Sequence, residues 1–353
     1  MYKRVLILIQ KNFQNYENPL DGYSKDFLDF LLKKPNLFSR KSIPIFWPTG
    51  AYSFGKCLRL FCGWPSFLPI PVYLDHGSFV GIYLDHHEID NKAIHHLTWY
   101  EPKFLKSKNK ILKNKKILYI TSPQILYKRK MNFKLKPNAK GTILFIPHTT
   151  GDVEFSNNKE DWLAYISNWV DRALAEISPN PPYVLCFHQQ DIRMGYHNTL
   201  KNKFPIVTAG NPQDEMFIDR FYYLISHFRN SISNAVGTDT LLCHELGLNH
   251  MIYGEEPKPI IVKKGFDYVD RHDDHYQKKL NYVRKFFMFP KKKSDENFRD
   301  QIIFNHLGFS STINPNTLRK IFLLDFFKLM PYFFYQYVAY FIKLIKKFIT
   351  YKH

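Results

Sequence analysis

SISNAVGTDTLLCHELGLNHMIYGEEP, residues 231–257, reads as a strand, a turn of small residues, a helix, a glycine and a second strand. The helix is expected from Thr238 to Leu246, and Gly247 supplies the left-handed residue on which helices commonly end. HMIYG (250–254) then resumes as a strand. Upstream the same alternation holds: TILFIP (142–147), YVLCFH (183–188) and IVTA (206–209) are short apolar runs of strand length. The segment after Asn158 places Glu160 and Asp161 in a first helical turn and aligns Trp162, Ile166, Trp169, Val170 and Ala173 on one face. A second helix is expected over 214–228, with Phe217, Phe221, Leu224, Ile225 and Phe228 turned inward. Strands alternating with helices make an α/β fold, a parallel sheet covered on both faces that binds ligands beyond the carboxyl ends of its strands. His148, His188, Gly210, Asn234 and Glu255 each follow a strand, with Thr208 near the end of IVTA. One crevice is expected to collect them.

Composition sets the frame around that core. At 353 residues two domains are the natural expectation, and 45% hydrophobic with 17% aromatic residues excludes disorder as the general state. A formal charge of +19 favours polyanionic partners: nucleotide diphosphates, nucleic acid or an anionic membrane. The first 125 residues are irregular, with strand-like runs at 5–9, 72–74 and 117–120. Residues 103–140 carry 13 Lys or Arg and no acid, in loop-like stretches that place the domain junction. No recognised nucleic-acid motif accompanies them, so nucleic acid is not an expected partner and a solvated, membrane-facing surface is. Cys57, Cys62, Cys186 and Cys243 lack paired zinc-ligand spacing and are read as reduced. The apolar run before Gln10 is five residues, too short for a signal peptide or a membrane span, so a cytoplasmic location is expected. From Asn314-Pro315 an aromatic, Lys-flanked helix is expected. Its longest uncharged run, 329–342, is 14 residues and is broken by Pro331, so it should lie on an anionic membrane or pack back across the other domain.

Three stretches carry candidate chemistry. Ser233, Asn234, Gly237 and Thr238 gather hydroxyl, amide and backbone N–H groups at a helix N-terminus, which suits a phosphate and equally suits ordinary capping. In YLDHGSFVG (73–81), Asp75 and His76 stand between a strand and a flexible glycine, where one can act as base or the carboxylate can hold the imidazole. In LFIPHTTGDVEF (144–155), a strand delivers His148, Thr149 and Thr150 into a loop, residue types that suit a phosphate or leaving-group contact. His76, Asp85, His86, His87, His95 and His96 raise the possibility of a metal. HExxH is absent, however, and adjacent histidines in an extended segment point to opposite sides. No metal or other cofactor is expected.

The series HG at 76–77, SP at 122–123, PHTT at 147–150, RMGYH at 193–197, TAGNPQDEMFIDRFYYLI at 208–225, SNAVGT at 233–238 and YGEEP at 253–257 resembles a family of uncharacterised glycosyltransferase-like proteins from bacterial O-antigen and capsule gene clusters. The resemblance spans about residues 70–260. More distantly the arrangement is similar to the GT-B fold, in which two Rossmann-like domains face a cleft and the second holds the nucleotide. It implies an acceptor-side domain over 1–135, a nucleotide-sugar domain over 136–312 and a C-terminal helical segment over 313–353. His76 or Asp75 would then be the acceptor-side base, His148 a phosphate or leaving-group contact, and Ser233, Asn234 and Thr238 a phosphate cradle. Thr149, Thr150, His188, Thr208, Gly210, Gly237 and Glu255 would complete the nucleotide side. Sialyltransferases of that fold place His before Pro, whereas here His148 follows Pro147, and SNAVGT has no serine run. The implied activity is metal-independent transfer of a sugar, a hexose, Kdo or nonulosonate, from a nucleotide-activated donor to a saccharide or lipid-linked saccharide, peripheral at the inner membrane. A polyol-phosphate transferase of the same fold, a metal-dependent hydrolase and a non-catalytic assembly protein are the rival readings.

Overall fold

The computed structural model describes residues 46–75, 90–100, 114–148, 158–256, 261–262, 274–290 and 292–350, with a few further positions outside these spans. The strand expected at 5–9 lies outside the described residues, as do His76, Asp85, His86, His87, Thr149 and Thr150.

Two parallel sheets organise the chain. The first joins β1 (Tyr73–Leu74), β2 (His95–Thr98) and β3 (Lys116–Tyr119) in the order β1-β2-β3, pairing Leu74 with Leu97 and Leu97 with Leu118. Helix α1 (Phe54–Cys62) covers it. Its apolar residues recur at helical spacing, so Phe54, Leu58 and Cys62 reach the core formed by Val72, Leu74, Leu97 and Trp99. Gly63, at φ +67°, ends the helix by taking the left-handed backbone that a side chain disfavours.

The basic stretch between the sheets departs from its loop-like reading. Residues Pro123–Met131 form helix α2, with proline in its first turn and Asn132 in left-handed backbone at its end. Lys128, Arg129 and Lys130 occupy the last turn, where the helix dipole favours cations. Several of these charges serve the fold: Lys128 pairs with Glu245 at 2.8 Å, and Arg129 lies over the Phe309 ring.

The second sheet is five-stranded and wholly parallel, in the order β7-β6-β4-β8-β9. Its strands are β4 (Thr142–Phe145), β6 (Tyr183–Cys186), β7 (Ile206–Val207), β8 (Asn230–Ser233) and β9 (Asn249–Ile252). Helix α3 (Lys159–Ile177) packs the expected stripe inward, with Trp162, Ile166, Trp169, Val170 and Ala173 all buried. The Asn158 side chain caps it, accepting from the Asp161 N–H at 2.7 Å. A short helix α4 (Gln189–Arg193) follows β6, α5 (Phe217–Ile225) follows β7, and α6 (Thr238–Leu246) links β8 to β9. An antiparallel ribbon pairs β5 (Val153–Glu154) with β10 (Ile261–Val262). Helices α7 (Asp274–Phe287) and α8 (Glu296–His306) pack beside α6 and β9. All four cysteines are free and buried.

Helix α9 (Pro315–Thr350) returns to the first sheet. Asn314 caps it through the Thr317 N–H at 2.9 Å. Leu318 and Phe322 join the core of α1 and β2, while Leu329 and Phe333 pack on Phe46, Tyr73 and Ala93. The expected break at Pro331 does not occur, and the helix runs through it. Proline forfeits one backbone hydrogen bond there. The anchors on either side, Leu329 and Phe333, hold the helix across that gap, each burial contributing roughly 1.5–3 kcal/mol.

Candidate functional site

Strand order fixes where a ligand crevice opens. From β4 the chain steps outward to β6 and β7, then returns to β8 on the other side of β4 and continues to β9. Counted from β4, this is the order 3-2-1-4-5, whose switch point lies between β4 and β8. His148 follows β4, His188 follows β6, Asn234 follows β8 and Glu255 follows β9. Because all five strands are parallel, these residues share one edge.

His148 and His188 come together there, with ring centroids 4.6 Å apart and planes inclined 30°. His148 is exposed. His188 Nδ1 accepts from the Gln190 N–H at 3.3 Å, capping α4 and leaving Nε2 to carry the proton of a neutral ring. Burial, reinforced by the neighbouring His148 and Arg193, pushes the His188 pKa down to about 3. At neutral pH the pair therefore offers one uncharged imidazole backing one accessible imidazole.

Asn234 is 4% exposed and tied on two sides. Its Nδ2 donates to Tyr165 Oη at 3.4 Å, and its carbonyl accepts from Arg284. Arg284, projecting from α7, also donates to the Gly254 carbonyl and so straps the ends of β8 and β9. Tyr165 stacks on Trp162, centroids 5.2 Å apart, and donates to the Glu255 carbonyl at 3.2 Å. Burial raises its phenol, which stays protonated as that donor requires. The Glu255 side chain is exposed.

The N-terminus of α6 is occupied by its own side chains. The Gly237 N–H donates to Thr240 Oγ1 at 3.1 Å, and the N–H groups of Asp239 and Thr240 donate to the Asp239 carboxylate. Asp239 keeps a partly accessible edge, yet burial raises its pKa to about 6. The residue after Gly237, Thr238, is the first of the helix and half-buried. Ser233 turns its hydroxyl inward, donating to the Ala235 carbonyl at 2.8 Å with His250 Nε2 at 3.2 Å, while His250 Nδ1 meets Ser231 Oγ at 2.8 Å. A buried strand with polar side chains needs such partners. An anion arriving here would have to replace the Asp239 carboxylate.

Thr208 and Gly210 belong to a different neighbourhood. Thr208 Oγ1 accepts from the Gly210 N–H at 3.1 Å in a buried turn after β7, at the sheet's far edge from β9. Gly210 there has φ +86°, and Arg220 braces the turn by donating to the Ala209 carbonyl at 2.7 Å. The loop that follows rests on α1: the Tyr52 N–H donates to Pro212, and Ser53 Oγ donates to the Glu215 carbonyl at 2.9 Å.

Asp75 lies in the first sheet. It is 1% exposed, and its Oδ1 meets His96 Nε2 at 2.6 Å in the core beside Tyr73. His95, its neighbour in β2, faces the other way and meets Asp325 of α9 at 2.6 Å. The two adjacent histidines are thus engaged by carboxylates on separate elements. Among the described residues no group of three or more His, Cys, Asp or Glu could hold a metal ion.

The structure brings together His148 with His188, and Asn234 with Glu255. It adds Tyr165, Arg284 and Asp239, which sequence reasoning passed over. Tyr165 stands three residues from Trp162, a spacing that puts both rings on one helix face. Arg284 gave no sequence signal among so many cations. A hollow of about 470 Å³ opens at the opposite edge, where α6 ends and β9 begins, lined by His244, Asn249, Lys292 and Arg299. It holds none of the carboxyl-edge residues. No family model matches the chain, and neither curated proteins nor solved structures give a match.

Proposed function

We propose that the chain is a glycosyltransferase that moves a sugar from a nucleotide-activated donor to a growing surface polysaccharide. The two sheets are read as the Rossmann-like halves of a GT-B arrangement. The observation that carries the proposal is the switch point between β4 and β8, flanked by His148 and Asn234 at the carboxyl edge of a wholly parallel sheet.

In this reading an acceptor hydroxyl attacks the anomeric carbon, the bond from that carbon to the donor phosphate oxygen breaks, and the electron pair leaves with the nucleotide. The acceptor proton passes to a base from the first sheet's edge. Asp75 is sealed against His96, so the base is assigned to His76, next in the chain. His148 faces the departing phosphate, backed by the neutral His188. The first-turn amides of α6 meet the same charge once Asp239 gives way.

A donor panel tests the proposal. Purified chain is offered UDP-, GDP-, CMP- and CDP-linked donors with a lipid-linked saccharide acceptor, and nucleotide release is measured. One nucleotide class should be released, and His148→Ala should lower kcat by roughly 100-fold or more with a smaller change in KM. Release of CMP from a CDP-linked polyol, and from no sugar donor, would reassign the chain to polyol-phosphate transfer. No release, together with no nucleotide raising the melting temperature, would refute the reading.

A further inference from the structure

Helix α9 has two apolar faces, one buried in the core of the described residues and one exposed. Leu318, Phe322, Leu329 and Phe333 are buried against the first sheet, at spacings of three to four residues or their sum. A second series, Leu323, Phe327, Met330, Phe334, Val338, Phe341 and Ile345, follows the same rhythm and is exposed throughout. Phe334 is 71% and Phe341 63% exposed, and Leu324, Tyr335 and Ile342 widen the stripe. A contiguous apolar surface of this kind on a folded chain marks a contact.

We infer that this outer face of α9 docks on the headgroup–acyl boundary of an anionic bilayer. Charge selects the occupant. Residues 315–353 hold seven Lys or Arg and one acid, Asp325, and that acid is buried against His95. A second copy of the chain would bring the same cations to the seam with no exposed acid to meet them. Lipid phosphates supply the missing anions, and acyl chains accept the aromatic side chains. No helix among the described residues is long and apolar enough to cross a membrane, so the helix lies in the surface plane. Docking and membrane contact, alternatives in the sequence, are here two faces of one element. Nothing in this surface depends on the transfer reaction.

Flotation of the full chain with phosphatidylcholine vesicles, with and without phosphatidylglycerol, tests it. The wild type should float with the anionic vesicles and stay behind with the neutral ones. The double variant Phe334→Asp with Phe341→Asp should bind the anionic vesicles roughly tenfold less or weaker still. Phe298→Asp, at a 53% exposed phenylalanine on α8, should float like the wild type. Arg319→Glu with Lys320→Glu leaves the apolar stripe intact and should reduce the preference for anionic lipid, which keeps the test valid if the aspartate pair impairs folding. Wild type that ignores anionic vesicles, or an aspartate variant that floats unchanged, overturns the inference. So does a wild-type dimer that the aspartate pair dissociates without any vesicle binding.

Discussion

At Asp239 a carboxylate sits where an anionic ligand was expected, taking the first amides of α6 for itself. Its folded pKa of about 6 stands above the unfolded value, so the folded state holds the proton more tightly. The stability this contributes is full below the unfolded pKa and is lost as pH rises through about 6. Asp239→Asn keeps an acceptor oxygen for the amides and removes the loss. The variant should therefore melt above the wild type at about pH 7.5, with the gap closing as pH falls from about 6 toward 4. Thermal melts across that range check it, and a pH-independent gap would contradict the account. His188 behaves oppositely. Its pKa is depressed to about 3, so the unfolded chain takes the proton first and stability falls as pH drops below about 6.5. His188→Gln, which keeps an acceptor for the Gln190 amide, should flatten that acid limb in the same melts.

Among the elements, α6 shows how much of the fold the sequence carries. A small-residue turn, a helix and Gly247 mark both ends, and the helix spans Thr238–Leu246 as read. Helix α3 is equally legible, because Asn158, two acids in the first turn and an apolar stripe all agree. Strand β2 is not, since HHLT lacks apolar alternation and its histidines meet carboxylates, Asp75 and Asp325, that lie 21 and 230 residues away in the chain. Helix α2 hides for a related reason: its cations look like a solvated run, yet they are absorbed by Glu245 and a helix terminus. The site divides along the same line. Residues placed by strand ends, His148 and Asn234, are legible, whereas Arg284 depends on a helix that arrives from 50 positions downstream. Gly237 tests the α6 terminus as an element. A Cβ there would stand 2.3 Å from Asp239 Oδ1, while its φ of −134° suits any residue. Gly237→Ala should expel the carboxylate from its amides and cost about 0.5–2 kcal/mol, the worth of an N-cap, measured by urea unfolding.

Across the whole molecule, the relation of the two sheets rests on a buried polar joint. Lys56 of α1 pairs with Asp219 of α5, and Tyr127 of α2 donates to the same carboxylate at 2.5 Å. All three side chains are buried, and each comes from a different helix. Ser53 and Tyr52 add bonds to the loop before α5, so the first sheet's helix is pinned to the second sheet at one end of that helix. A buried ion pair is weak evidence for stability in itself, because desolvation offsets its attraction, but removing one partner strands the other charge. Lys56→Met should therefore destabilise by about 3–5 kcal/mol. Adding Asp219→Leu should recover much of that loss, with Tyr127→Phe completing an apolar joint. Urea denaturation of the single, double and triple variants reads the coupling directly. If the joint only holds the sheets together, the triple variant restores stability and any transfer activity alike. Restored stability with lost activity would mean that the ion pair sets the angle between the sheets that the reaction needs.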